Sequence, residues 1–302
     1  MTQRTAQTWL SRAERGTTLG IRFVFWLATL AGRWTTHQLA RLLALYYAVF
    51  DVTTKRTSRE YLERVHGRRV RWREVYQHVL RFAHVSIDRI FLLKGKLRYF
   101  DVTRTGTHHL AELTEAKRGA VLIGAHLGSF EAMRAGGSAK RYPINIVGHF
   151  ENARMINALL EQIDPHTAAR VIHAGDNPVS FATKVKKVLD AGELVAILGD
   201  RVGLNDKTTT VTFFGEPAEF PSGPFILASV LRCPVYLVFG LYFEPNRYHL
   251  YCEPFAERIE LPRATRQEAL TATIQRYAER LEEFCRKAPD NWFNFYDFWR
   301  TS

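Results

Sequence analysis

The segment Val121-Leu-Ile-Gly-Ala-His126-Leu-Gly-Ser-Phe-Glu131 constrains the fold more than any other part of the chain. Its apolar run reads as a strand buried on both faces. The run ends on an imidazole, passes a small Gly128-Ser129 turn and opens a helix that carries a carboxylate at Glu131. That reversal gathers an imidazole, a carboxylate and free helix N-terminal amides in one small volume. These are the parts needed to deprotonate a hydroxyl and stabilise an oxyanion.

Strands and helices alternate from Tyr99 onward. Strands are expected near 99–104, 120–126, 144–149, 169–174 and 194–199, with helices near 107–117, 129–140, 152–163 and 178–191 between them. A helix at 222–232 leads to two strands, 235–243 and 248–254, which form a hairpin turning at 244–247. A helix at 265–286 precedes an aromatic tail, Trp292-Phe-Asn-Phe-Tyr-Asp-Phe-Trp299. The fold class that follows is α/β, a mostly parallel sheet covered by helices on both faces. Upstream, Tyr61, Val65, Trp72, Val75, Val79, Phe82, Val85 and Ile90 recur at helical spacing. The chain therefore divides into a helical region, 1–98, and an α/β domain, 99–302, joined as one continuous structural unit.

Charge separates these two parts. Residues 1–118 hold 22 Lys/Arg against 9 Asp/Glu, while residues 119–302 hold 20 against 21, so the N-terminal third carries the whole net charge of +12. A basic field of this kind points to an anionic surface, phospholipid or nucleic acid. No cleavable signal is visible before Leu45. The best candidate for a membrane span, Leu19 to Gly32, is interrupted by Arg22, and Phe23 to Gly32 gives only ten uncharged residues. A span needs roughly twenty. That stretch and a second one, Leu42 to Phe50, are flanked by Arg and rich in Phe, Trp and Tyr. They suit helices lying at the headgroup level of a bilayer, or two buried helices of a helical subdomain. Cys233, Cys252 and Cys285 match no metal or redox spacing, which fits a reducing compartment.

In open sheets of this type ligands gather outside the carboxyl ends of strands. His126, His149 and the pair Asp200-Arg201 fall at three such ends. His126 reads as a general base or as a histidine capping its strand. Glu131 orients that imidazole or complements the helix dipole. Asp200 is a second carboxylate near His126 or a turn cap, and Arg201 faces an anionic donor or acceptor. Phe213-Phe214-Gly215 and Pro221-Ser222-Gly223-Pro224 wall an apolar tunnel, with Ser222 and Gly223 offering helix amides to a phosphate or carbonyl. The plainer alternative is a hairpin-like turn and a helix start. Arg154, with Asn152, opens a helix and meets a phosphate or only solvent. The chain has no G-x-S-x-G elbow, no phosphate-binding loop and no G-x-G-x-x-G, which disfavours a serine hydrolase, an NTPase and a dinucleotide-dependent enzyme. His108-His109 stands at a helix start with no ligand partner in sequence, and no Cys/His group has zinc spacing.

At these residues the chain resembles the lysophospholipid acyltransferase-like superfamily. Within it the resemblance is to the branch of the late lauroyl and myristoyl acyltransferases of lipid A biosynthesis and the mycobacterial phosphatidylinositol mannoside acyltransferases. His126 and Glu131 match the H-x4-[DE] mark. Asp200, Phe213-Phe214-Gly215, Gly223-Pro224 and Pro289-Asp-Asn-Trp292 match later blocks in order, over most of residues 15–300. The resemblance implies acyl transfer from an acyl carrier protein or acyl-CoA thioester to a hydroxyl of a lipid or glycolipid acceptor. In that scheme His126 is the general base, Glu131 and Asp200 hold it, and Gly128 and Ser129 amides take the oxyanion. No cofactor and no metal is required. Anionic phospholipid is the expected surface, at the cytoplasmic face of a bacterial inner membrane, and nucleic acid is not expected. The chain departs from the lipid A enzymes where His149 and Arg201 stand and in its tail, which leaves the acceptor open. The run Trp9 to Gly16 resembles a subgroup found with aryl-polyene or glycolipid pathways. Two rivals remain: a non-catalytic binder of anionic membrane or nucleic acid on the same fold, and a hydrolase that releases the acyl chain to water.

Overall fold

A computed structural model of the chain describes residues 24, 26–132, 142–148, 171–173, 177–202 and 207–299. Helical residues 24 and 26–30 lead into α1 (Gly32–Phe50), which is followed by α2 (Val52–His66) and α3 (Trp72–Leu93). Asp51 both ends α1 and caps α2, its carboxylate taking the Thr53 and Thr54 N–H groups at 3.1 and 3.2 Å. This is the usual way an aspartate satisfies first-turn amides. Then follow β1 (Asp101–Thr105), α4 (His108–Glu115), β2 (Ala120–Gly124), β3 (Ile144–Gly148), β4 (Val171–His173), α5 (Pro178–Asp190) and β5 (Leu194–Leu198). The chain ends with β6 (Thr208–Phe213), β7 (Glu216–Pro221), α6 (Gly223–Leu231), β8 (Val235–Phe243), β9 (Arg247–Ala256) and α7 (Arg266–Lys287).

Seven strands form one sheet in the order β1-β9-β8-β2-β5-β3-β4. The five strands from β8 to β4 run parallel. The β8–β9 hairpin expected from the sequence reverses the direction, and β1 pairs parallel with β9 at the outer edge, against the sense of the central strands. The sheet is thus mostly parallel, with an opposed edge. A separate antiparallel ribbon, β6–β7, was not expected as strands. It turns at Phe214-Gly215, both at positive φ, the conformation of a tight hairpin turn.

Burial follows the two-residue period of the strands. Val121, Ile123, Val195, Leu237 and Phe239 face a core built with α5, α6, α7 and the β6–β7 ribbon. Ala120, Leu122, Leu194, Ala196 and Val238 face the other way, into a core with α3, α4, Ala40 of α1 and Ala28 just before it. Both faces are covered, and α1 and α3 share their core with the sheet. No helix among the described residues is long and apolar enough to cross a membrane.

α1 inverts the ordinary arrangement of apolar residues. Ala40, Ala44 and Ala48 repeat every four residues and are buried, while Trp34, Leu42 and Phe50 are 75%, 66% and 69% exposed. Small residues let the helix approach its neighbours closely, and the large apolar side chains point away from the protein. An exposed apolar set of this extent is unusual for a surface that meets only water.

Candidate active site

Register brings the site together. Gly124 of β2 pairs with Leu198 of β5, so His126 and Asp200, each two residues further on, leave neighbouring strand ends side by side. Asp200 Oδ1 lies 2.8 Å from His126 Nδ1, and Oδ2 accepts the backbone N–H of His126 at 2.9 Å. Trp292 Nε1 and Asn294 Nδ2 also donate to Oδ2, at 2.9 and 3.1 Å. A carboxylate held by four donors stays ionised despite complete burial: against the cost of desolvation, the contacts with His126 and the Arg201 charge hold Asp200 down at about 2. The ionised carboxylate keeps the proton on His126 Nδ1, which leaves Nε2 as the basic nitrogen. Nε2 has no partner among the described residues, and the side chain is 27% exposed. Burial, then the Arg201 charge, lowers the affinity of the ring for a second proton, so it stays neutral near pH 7.

Glu131 is elsewhere engaged. It pairs with Arg89 Nε of α3 at 2.7 Å, while the contact with His126 Nδ1 is made by Asp200, the other carboxylate expected near that imidazole. The oxyanion expectation also changes. The Gly128 N–H donates to the Asn291 carbonyl at 2.8 Å and the Ser129 N–H to the Gly240 carbonyl at 2.7 Å. Neither amide is free for a substrate. Ser129 is nevertheless well placed for the helix, its hydroxyl taking the Ala132 N–H at 3.1 Å. Gly128 sits at φ +67, and a Cβ there would lie 2.0 Å from the Gly240 carbonyl oxygen. Only glycine lets the two backbones approach so closely.

Arg201 turns toward the tail: its Nε donates to Asn294 Oδ1 and its Nη2 to the Phe293 carbonyl, both at 2.7 Å. Ser222 is buried, its hydroxyl 2.8 Å from that of Thr209 and its N–H on the Lys207 carbonyl, and Gly223 begins α6 in the open. Phe213 packs against Trp292, Phe298 and Trp299 as a filled aromatic cluster, and Phe214 and Gly215 form the ribbon turn. His149 and Arg154 lie outside the described residues. Glu112, one turn along α4, brings its carboxylate within 4.8 Å of the ring nitrogens of His108 and His109, a grouping that the sequence reading did not foresee.

The aromatic tail stands out in the sequence, but Trp292 and Asn294 as supports of Asp200 do not. Their i, i+2 spacing was the available signal, because an extended segment points alternate side chains to one side. Arg89 gave no signal, since its pairing depends on how α3 lies across the sheet.

The arrangement is a buried carboxylate, a neutral imidazole of fixed tautomer and an outward-facing Nε2, which suits general-base chemistry on a hydroxyl. Over residues 8–301 the chain matches the family model described as bacterial lipid A biosynthesis acyltransferase. No curated protein sequence matches it.

Proposed function

The chain belongs to the bacterial lipid A biosynthesis acyltransferase family, and from that membership we propose that His126 and Asp200 act as a base-carboxylate pair in acyl transfer from a thioester to a lipid hydroxyl. Membership makes the protein an acyltransferase of lipid biosynthesis, with an acyl donor and a lipid acceptor. The single observation that supports the His126 role is the 2.8 Å contact between its Nδ1 and a fully buried, ionised Asp200.

In the proposed reaction Nε2 takes the proton of the acceptor hydroxyl as its oxygen attacks the thioester carbonyl. The tetrahedral intermediate collapses with cleavage of the carbon–sulfur bond, and the imidazolium returns the proton to the departing thiolate. The new ester and the free thiol leave. Asp200 stabilises the transient imidazolium and does not itself take the proton. The donor is an acyl carrier protein or coenzyme A thioester, and the acceptor is a lipid or glycolipid hydroxyl. Glu131, through Arg89, fixes the helix start beside His126. Arg201 and Asn294 brace the tail that carries Trp292 against Asp200.

The proposed setting is the cytoplasmic face of a bacterial inner membrane, reached by the basic N-terminal region. The apolar side chains that α1 turns outward support this reading.

Incubating the protein with a labelled acyl thioester and total bacterial lipid tests the reaction class. A new labelled lipid is the expected result. Labelled free acid alone would make the protein a hydrolase.

A further inference from the structure

Between α1 and the first half of α3 lies a cleft of about 320 Å³ that the acyl-transfer chemistry does not use. We propose that this cleft binds the phosphate of an anionic phospholipid headgroup. The inference rests on the membrane-surface reading above and gives that reading a specific site.

The lining includes Arg41, Arg73, Arg81, Trp72, Tyr76 and Glu244. The three cations differ in how their charge is spent. Arg81 is held by two carboxylates, Nε to Asp290 Oδ2 at 2.8 Å and Nη1 to Glu244 Oε1 at 2.9 Å. It forms a neutralised floor. Among the described residues the Arg41 side chain has only a neutral partner, the Gln38 side-chain oxygen at 2.8 Å. Arg73 is exposed and has no hydrogen-bond or ion-pair partner among the described residues. Two uncompensated guanidinium groups therefore face a cleft whose one carboxylate is already engaged. Guanidinium pairs of this kind suit the planar, bidentate recognition of phosphate oxygens.

The surroundings favour a lipid over a free anion. Trp72 stands half-exposed at the mouth, with Tyr76 6.0 Å away by ring centroid. The Tyr76 hydroxyl donates to the Arg41 carbonyl at 3.4 Å, which joins the two helices across the groove. Beyond Arg41 the surface of α1 continues as exposed Leu42, Leu45, Tyr46, Val49 and Phe50. Cations beside tryptophan and tyrosine, next to a large apolar face, are the signature of a surface seated at headgroup depth. Phosphate in the cleft and acyl chains along α1 use both features at once. The cleft also lies behind the tail of the site, since Asp290 precedes Trp292 by two residues.

The test compares the wild type with R41Q/R73Q and with R258Q/R263Q, an exposed pair on the segment between β9 and α7 that removes the same charge. Binding is measured by flotation with phosphatidylcholine vesicles and with vesicles containing phosphatidylglycerol. R41Q/R73Q is expected to lower partitioning onto the anionic vesicles by about thirty-fold. The control pair should bind like the wild type. Equal losses in both variants would overturn the cleft and leave only net charge. Unchanged vesicle binding, with loss of a stabilising thermal shift by inorganic phosphate, would make the cleft a free-phosphate site and overturn the lipid assignment. Unchanged vesicle binding with lost binding to an acyl carrier protein would overturn it in favour of a protein partner. A wild type that floats with neither vesicle would instead sink the membrane-surface reading itself.

Discussion

Trp292 donates its indole N–H to the same Asp200 oxygen that receives the backbone N–H of His126. The C-terminal tail therefore clamps the carboxylate from one side while the β2 strand end holds it from the other. His78 of α3 extends the support: its Nε2 lies 2.9 Å from the Trp292 carbonyl and its Nδ1 2.9 Å from the Ser58 hydroxyl of α2. The N-terminal helices thus reach the proposed base through a continuous hydrogen-bonded chain.

Asp200→Asn should lower kcat by roughly 10³- to 10⁴-fold, because an amide no longer holds the proton on His126 Nδ1. KM for the thioester should change little. The same substitution removes an ionised acceptor of four donors, so a melting curve should show a lowered Tm as well. Steady-state kinetics beside thermal unfolding separate the two effects. A variant that loses stability but retains kcat would assign Asp200 a purely structural role.

The pH profile of kcat/KM reports on His126. Burial and Arg201 lower its pKa, and the base is active when neutral, so the acid limb should bend below pH 6.5 rather than at the ordinary histidine value. Arg201→Gln removes one of the two lowering causes and should move that limb to higher pH. An unmoved limb would mean that another group controls the profile.

His78 is fully buried and neutral, with its pKa pushed down to about 4 by desolvation. The unfolded chain protonates this histidine near pH 6.5, while the native protein resists until about 4. Stability therefore falls as pH drops through that window, by roughly 3 kcal/mol from this group. His78→Phe should flatten this part of the profile, measured by denaturant unfolding at several pH values. It should also cost about 1–3 kcal/mol at neutral pH, since the Trp292 carbonyl and Ser58 hydroxyl lose their partner.

Much of this arrangement was legible in the sequence, for identifiable reasons. His126 and Asp200 each end an apolar run, and a polar residue at the carboxyl end of a buried strand is a local signal. Their adjacency is not local. It depends on β5 lying directly beside β2, which no pattern within either strand encodes. The fate of the Gly128 and Ser129 amides was hidden for the same reason. Sequence shows a glycine before a helix, but the carbonyls of Asn291 and Gly240 arrive from distant segments to take the N–H groups. For the β6–β7 ribbon the sequence offers a hairpin-like turn at Phe213-Phe214-Gly215 as one of two readings, but not its strands, because the polar face of Thr208 to Phe213 reads as a loop. On α1 composition revealed apolar and aromatic content, while only packing showed that alanines face inward and the large side chains outward.

Glu131 and Arg89 should behave as one unit. Glu131→Gln and Arg89→Gln are each expected to reduce kcat/KM, and the double variant should be no worse than the weaker single one. Groups in direct contact give such non-additivity in a double-mutant cycle. Additive losses would mean that Glu131 acts on His126 or the substrate independently of Arg89.

The most direct measurement is acyl transfer from a labelled acyl thioester into total bacterial lipid, with wild type and His126→Ala side by side and folding of both verified by circular dichroism. A new labelled lipid is expected with the wild type and none with the variant. Equal labelling by both proteins would contradict that expectation and reduce His126 to a structural residue at the end of its strand.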